Sequence, residues 1–333
     1  MLDSIPPFRP AWWAPGGHLQ TVVGYYTGRP ADFQHDQLHQ ILLDDGDTIL
    51  LLENRPAARP QAAILLMHGL GSDAEAPYIK RLVPLFLQQN WTVFRINHRG
   101  AGIGEGLAKH LYHSGRSEDV SAAMMMASAL YPDLPLVTVG VSLSGNMLLK
   151  LLGQKTEPIP DNLQAGIAVS PPIDLSLCAH ALRQKGNLGY DIRFVRMLKK
   201  AMRQRMQDFA DFPRLQLDAI SSLYDFDDQI TAPLNGFADA EDYYARCNAR
   251  QFLAGVAVDT LIIASDDDPF IPKQTFDSLP DNPNVQLMLT RSGGHVGFVA
   301  NNKTPLGHRK WLEYAVLQAA SHAVQPVNKH VLT

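Results

Sequence analysis

The stretch Pro135-Leu136-Val137-Thr138-Val139-Gly140-Val141-Ser142-Leu143-Ser144-Gly145-Asn146 passes from an apolar, β-branched run straight into small residues. Met147-Leu148-Leu149-Lys150-Leu151-Leu152 then continues in a helical pattern. A strand, a sharp turn and a helix follow, with the Ser142 hydroxyl at a strained tip. This is the context of a nucleophile elbow, G-x-S-x-G. Gly140 occupies the first small position, and Ser144 stands where a second glycine is usual. Both positions must be small because strand and helix backbones nearly collide there. Serine is the next smallest choice after Gly and Ala, so Ser144 weakens the motif without removing it. An ordinary serine-rich turn would share the pattern, so the rest of the chain decides.

Strand and helix patterns alternate around this stretch. Ala62–Met67 is a continuous apolar strand, as in sheets buried on both faces. It ends in His68-Gly69-Leu70-Gly71. Residues 78–89 place Ile79, Leu82, Val83, Phe86 and Leu87 at helical spacing, and 91–96 form a second strand ending in Asn97-His98-Arg99-Gly100. A helix over 118–130, a strand over 134–140 and another over 165–170 complete a βαβαβ alternation, which predicts a parallel sheet. Ahead of it, 38–43 and 48–53 flank Asp44-Asp45-Gly46-Asp47, a hairpin signal. The first 35 or so residues, rich in Pro, Gly and aromatics, are not expected to form a regular helix. Trp12 and Trp13 are expensive to leave in water, so this segment is expected to pack across the body or over a pocket mouth. After Pro171 the alternation stops, and helical patterns over 191–209 and 238–253 suggest a cap insertion spanning about 172–255. Strands over 260–264 and 285–289 and a helix over 305–320 then close the chain. The expected architecture is one domain, with a mostly parallel central sheet, helices on both faces and a helical cap.

Bulk properties narrow the classes of function. The chain has 333 residues, 46% hydrophobic and 19% charged, enough for one large α/β core. A net charge of −4 offers no footprint for nucleic acid. Two cysteines, Cys178 and Cys247, cannot make a disulfide framework, and reduced thiols in the cytoplasm are expected. The start, Met1-Leu2-Asp3-Ser4-Ile5-Pro6-Pro7, lacks the pattern of a secretory leader. No apolar run approaches the roughly 18–20 residues that cross a bilayer.

A serine hydroxyl needs an adjacent base, itself held by a third group. In α/β-hydrolase sheets these follow in the order Ser, Asp or Glu, His. The strand at 260–264 is followed by Ser265-Asp266-Asp267-Asp268-Pro269-Phe270-Ile271-Pro272. The strand at 285–289 is followed by Thr290-Arg291-Ser292-Gly293-Gly294-His295-Val296-Gly297-Phe298. Both segments lie at carboxyl ends of strands, where open α/β sheets bind ligands. His295 is the candidate base for Ser142. The acid is Asp268, from the pattern Asp-x-apolar-x-Pro, or else Asp267. The backbone N–H groups of Leu143 and Leu70 are the candidate oxyanion donors. No cofactor or metal is expected. Gly100 to Gly106 fit no dinucleotide register, and His110 and His113 lack a third ligand. Arg193, Arg196, Lys199, Lys200, Arg203 and Arg205 interleave with Val195, Leu198, Met202, Met206 and Phe209. That pattern is an amphipathic cap helix facing solvent, or one in weak contact with an anionic membrane surface.

These residues resemble the YheT-type branch of the α/β-hydrolase superfamily, which is related to eukaryotic α/β-hydrolase-domain lipid esterases. The resemblance runs over nearly the whole chain. It rests on Phe8-x-Pro10, Gly17-His18-Leu19-Gln20-Thr21, His68-Gly69-Leu70-Gly71 with Pro77-Tyr78, Asn97-x-Arg99-Gly100 and Tyr112-His113-Ser114-Gly115. Further matches are Gly140-Val141-Ser142-Leu143-x-Gly145-Asn146, Ser170-Pro171-Pro172-x-Asp174-Leu175, Phe226-Asp227, Asp242-Tyr243-Tyr244, Asp267-Asp268-Pro269-Phe270 and Gly293 to Phe298. Ser144 departs from the glycine that relatives usually carry. The resemblance implies a serine hydrolase of carboxylic esters with Ser142, Asp268 and His295 as triad. Its substrate would be a small-molecule ester with a short- to medium-chain or lipid-like acyl group, cleaved through an acyl-Ser142 intermediate. The cap and Trp12–Trp13 would favour that chain length. A thioester or acyl-transfer reaction on the same triad, or a non-turnover binding role for the fold, are the alternatives.

Overall fold

The computed structural model describes residues 1–28, 30 and 32–325. Its sheet has eight strands: β1 (Gln37–Leu42), β2 (Thr48–Asn54), β3 (Ala62–Met67), β4 (Trp91–Asn97), β5 (Leu136–Val141), β6 (Leu163–Val169), β7 (Asp259–Ser265) and β8 (Val285–Thr290). Their order is β1-β2-β4-β3-β5-β6-β7-β8. The β1–β2 hairpin turns through Gly46 at φ +85° and joins β4 antiparallel; every other pairing is parallel. The apolar runs are continuous because both faces are covered. Ile64, Leu66, Val137 and Val139 pack with the helices Pro77–Gln88 and Trp311–Ala323. Ala63, Leu65 and Met67 point the other way, onto the helix Ser117–Leu130 and the elbow helix Leu143–Gln154. Adjacent residues of β3 thus serve two opposite cores, as the twofold pleat requires.

Two buried networks tie the loops at the carboxyl ends of the strands to this frame. Arg99, after β4, is only 1% exposed. It donates to both oxygens of Asp119 at 2.7 Å and to Asp45 and Asp47 of the hairpin turn at 2.7 Å. A cation buried this deeply is tolerable only with such pairing. The second network lies beneath the elbow. Ser142 sits at φ 55°, ψ −121°, and a Cβ on Gly140 would fall 2.4 Å from the Ser144 carbonyl oxygen. Ser144 itself is fully buried. Its hydroxyl donates to the His68 carbonyl at 2.5 Å and accepts from His98 Nε2 at 2.7 Å. The His98 backbone N–H reaches His68 Nε2 at 3.3 Å, which leaves His68 Nδ1 to donate to the Gly69 carbonyl at 2.9 Å. The departure from glycine weakens the sequence motif, but it does not loosen the elbow. Instead Ser144 fastens it to the ends of β3 and β4.

Several expectations are corrected. Gly16–Tyr26 is an α-helix despite its glycines and the prolines before it. Pro15 caps it without needing an N–H donor, and two of its glycines are demanded by contact. A Cβ on Gly17 would lie 1.7 Å from the Asp267 carbonyl oxygen, and one on Gly24 would lie 2.3 Å from Gly297 Cα. Trp12 and Trp13 do not cover the body: Trp12 is 80% exposed, while Ala11 and Ala14 are buried against Val299. The closing helix begins at Trp311, not near 305, because Thr304 to Lys310 form a turn held by Thr304 and His308. Between β6 and β7 the chain is helical, including Leu175–Leu182, Leu188–Asp208 and Ala240–Cys247. The long helix Leu188–Asp208 buries Val195, Leu198 and Met202 against Phe212, Leu217 and Phe226. Arg205 does not join its solvent face; it is buried and donates to the Arg99 carbonyl at 2.8 Å. No helix of the described residues is long and apolar enough to cross a membrane.

The network beneath the elbow gives a stability prediction. Ser144→Ala leaves the His98 Nε2–H and the His68 carbonyl buried without their partner, and should cost about 1–3 kcal/mol in urea unfolding; an unchanged midpoint would remove the latch from the account. Acid stability gives a second. Burial holds the imidazoles of His68, His98 and His113 neutral, and that of His68 falls to about 4. The unfolded chain takes up these protons near 6.5, so their contribution is complete above that pH and is lost as pH falls toward 4. Asp227, pushed up to about 6 by burial, acts in the opposite sense as pH rises from 3.8. His308, also lowered by burial, sides with the three imidazoles, and Asp119 and Asp191, raised by burial, side with Asp227. The imidazoles, whose unfolded protonation falls between pH 7 and pH 5, dominate in that window, each proton being worth about 1.4 kcal/mol per pH unit. Unfolding free energy should therefore drop measurably from pH 7 to pH 5.

Candidate active site

Ser142, Asp268 and His295 come from the ends of three strands, β5, β7 and β8, and meet above the sheet. Ser142 Oγ lies 2.9 Å from His295 Nε2, and His295 Nδ1 lies 2.8 Å from Asp268 Oδ2. A carboxylate opposite Nδ1 places the imidazole proton there and leaves the Nε2 lone pair facing the hydroxyl. The other oxygen of Asp268 accepts the N–H groups of Phe270 and Ile271 at 2.8 and 3.1 Å, so the buried carboxylate is fixed from behind. Asp267 does different work. Its Oδ1 accepts the Gly294 N–H at 2.9 Å and the Ser265 hydroxyl at 3.1 Å, and its Oδ2 accepts the Ser292 hydroxyl at 2.7 Å. One aspartate faces His295, and its neighbour shapes the loop that carries it.

That loop also leans on the N-terminal helix. Thr21 Oγ1 accepts the His295 N–H at 2.8 Å and donates to the Gly17 carbonyl at 2.7 Å. Gln20, fully buried, accepts the Val299 N–H at 2.7 Å and donates to the Ala14 carbonyl at 3.0 Å. Val296 and Phe298 are held at φ 61° and φ 39°, a costly conformation for residues with a Cβ. Sequence reasoning assigned no role to Gly17, Gln20, Thr21 or Ser265. The traces are the motif Gly17-His18-Leu19-Gln20-Thr21, part of the family resemblance, and helical spacing, since 17, 20, 21 and 24 share one face.

Leu70 and Leu143 both border the cavity at Ser142. On either side of Leu70, the Gly69 N–H donates to the Tyr78 hydroxyl at 3.0 Å and the Gly71 N–H to the Tyr112 hydroxyl at 2.8 Å. Among the described residues neither the Leu70 nor the Leu143 N–H has such a partner. Leu143 opens the elbow helix, where the first N–H groups are free. A Cβ on Gly69 would lie 3.1 Å from Ser142 Cβ, so the loop passes directly beside Ser142.

Two lobes open from Ser142 and His295. One runs beneath the helices between β6 and β7, lined by Leu175, Leu182, Phe194, Leu198 and Phe226. Asp227 also faces it, its carboxylate accepting the Thr231 and Tyr244 hydroxyls at 2.7 and 2.8 Å. The other lobe is bounded by Val22, Tyr25, Tyr26, Tyr190, Arg193 and Met197. Trp12 and Trp13 border neither lobe. Among the described residues, the one group with metal-ligand spacing is Asp45, Asp47 and His110, and Arg99 already bridges its two carboxylates. His113 lies apart, against Phe237 and Tyr243.

Comparison with known proteins agrees with this arrangement. The model of the alpha/beta hydrolase fold family matches residues 62–301. The provisional esterase YheT of Escherichia coli (strain K12) is 32% identical over 304 residues, 89% of this chain and 87% of that protein. Phospholipase ABHD3 of Mus musculus is 27% identical over 306 residues, 88% of this chain and 73% of the relative. Among solved structures, the Pyrococcus furiosus esterase Pf2001 superposes with a TM-score of 0.56 over 90% of this chain and 99% of its own, at 16% identity, a likeness of fold. The sheet order, the family match over most of the chain and the similarity to YheT show that this protein belongs to the α/β-hydrolase family, as a hydrolase of its YheT-like branch.

Proposed function

We propose that this protein hydrolyses carboxylic esters through an acyl-Ser142 intermediate. The reading is carried by the unbroken Ser142–His295–Asp268 chain, with links of 2.9 and 2.8 Å. His295 Nε2 takes the hydroxyl proton as Ser142 Oγ attacks the ester carbonyl. The Leu70 and Leu143 N–H groups receive the developing oxyanion, a role commonly worth about 3 kcal/mol per donor. The imidazolium, stabilised by the Asp268 carboxylate, then protonates the departing alcohol. Water entering the same position loses a proton to Nε2 and attacks the acyl carbonyl, which releases the acid and restores Ser142. The apolar lobe beneath the helices suits the acyl chain, and the lobe bounded by Tyr25, Tyr26 and Arg193 suits the alcohol. Relatives named as esterase and phospholipase support a lipid-like ester. Because Trp12 and Trp13 lie outside both lobes, they contribute nothing to chain-length choice.

Intact mass after fluorophosphonate treatment tests the nucleophile without knowledge of the substrate. A single adduct is expected on the wild type and none on Ser142→Ala; absence from a folded wild type would favour a non-turnover role, and labelling that survives the substitution would point to another serine. The two aspartates separate kinetically. Asp268→Asn should lower kcat on a chromogenic ester by about 10⁴. Asp267→Asn should mainly lower thermal stability and retain far more activity, and the reverse ranking would exchange their roles.

A further inference from the structure

The N-terminal helix and the long helix Leu188–Asp208 meet at the mouth of the second lobe. His18 and Tyr190 stack with ring centroids 5.7 Å apart, and Arg193 Nη1 donates to the Tyr26 hydroxyl at 3.0 Å. The inner face of the N-terminal helix, at 17, 20 and 24, is consumed by the loop that carries His295. Its outer face, Leu19, Val22 and Tyr26, has the i, i+3, i+7 spacing of a single stripe. These three residues are 43–56% exposed, and Leu188 and Ile192 across the joint are 45% and 43% exposed. Trp12, more exposed still, precedes the same helix.

Large apolar side chains gathered in this way are unusual on a surface that meets only water. Their neighbours are basic. From Ile192 the same helix continues through Arg196, Lys200 and Arg203, all exposed. Five of its six basic residues, Arg193, Arg196, Lys199, Lys200 and Arg203, lie outside the core, while one of its two acidic residues, Asp191, is buried, in a chain whose net charge is −4. Positive charge thus gathers along this helix beside the apolar stripe, with Arg203 also 3.7 Å from Asp218. Lys and Arg next to Leu, Ile, Tyr and Trp are the chemistry that seats a helix in a lipid headgroup layer. Val22 and Tyr26 also border the lobe that reaches Ser142, so the patch surrounds an entrance.

We propose that this face docks on an anionic lipid bilayer and sets the mouth of the Ser142 cavity against the membrane. The apolar stripe enters the headgroup–acyl boundary, while Arg196, Lys200 and Arg203 pair with lipid phosphates. The docking is independent of the bond cleaved at Ser142 and is tested without measuring catalysis. The full chain is floated with phosphatidylcholine vesicles, with or without phosphatidylglycerol. It should float with the anionic vesicles, stay behind with the neutral ones and be released by high salt. Joint substitution Arg196→Glu, Lys200→Glu and Arg203→Glu should weaken binding by about a hundredfold or more. Leu188→Ser with Ile192→Ser should weaken it without changing its salt dependence. None of these residues borders either lobe, so fluorophosphonate labelling and the melting temperature should stay as in the wild type. Failure of the wild type to float, or flotation indifferent to both sets of changes, would overturn the proposal. So would a dimer in solution that Leu188→Ser with Ile192→Ser dissolves, since the face would then belong to a second copy.

Discussion

The near-collision of β5 with the helix that follows it is the constraint on which the site depends. At Gly140 there is no room for a Cβ beside the Ser144 carbonyl, and the chain escapes only by placing Ser142 at positive φ. That conformation is unfavourable for a serine and persists because its surroundings over-determine it. The buried sheet holds one side, the elbow helix the other, and Ser144 ties the turn to β3 and β4 through His68 and His98. Since one hydrogen bond of Ser144 ends on His68, at the start of the loop containing Leu70, Ser142 and the proposed oxyanion donors are parts of one rigid object.

His295 arrives by a different route. The loop of His295 leaves the outermost strand of the sheet, β8, where half of the backbone neighbours are missing. The N-terminal helix supplies what the sheet does not. Gly17 and Gly24 let it approach to backbone distance, Thr21 receives the His295 N–H, and Gln20 holds Val299. Asp267 completes the support from β7. A histidine backed on two sides can keep its ring between Asp268 and Ser142 without drawing on its own loop for rigidity.

Electrostatics divides the molecule in the same way. The interior between the strand ends is neutral or internally paired, with uncharged His68 and His98 under the elbow and Arg99 saturated by three aspartates. Exposed positive charge on the outer helix, at Arg196 and Lys200, lies at the side where the cavity opens. The pairing of charge inside and its exposure outside come from one solvation rule, because a buried ion needs a partner and a surface ion does not.

The sequence by itself determined the sheet and its strand ends. β3 to β7 are mainly apolar runs because both faces are buried, and that pattern is local. The positions of Ser142, Asp268 and His295 were legible for the same reason, each following such a strand. The sequence could not choose between Asp267 and Asp268, since both carboxylates leave the same strand end and only the turn decides which faces His295. It hid the N-terminal helix, whose glycines look like breakers until the backbone of residues 267 and 297 is placed against them. It also misplaced Trp12 and Trp13, because burial is decided by what the fold leaves uncovered. Ser144 was the sharpest case: a deviation by its one-dimensional motif, it is a bonded latch once His68 and His98, 76 and 46 positions away, are brought beside it. Local pattern is written in neighbouring residues, whereas support, tautomer and exposure belong to contacts made across the whole chain.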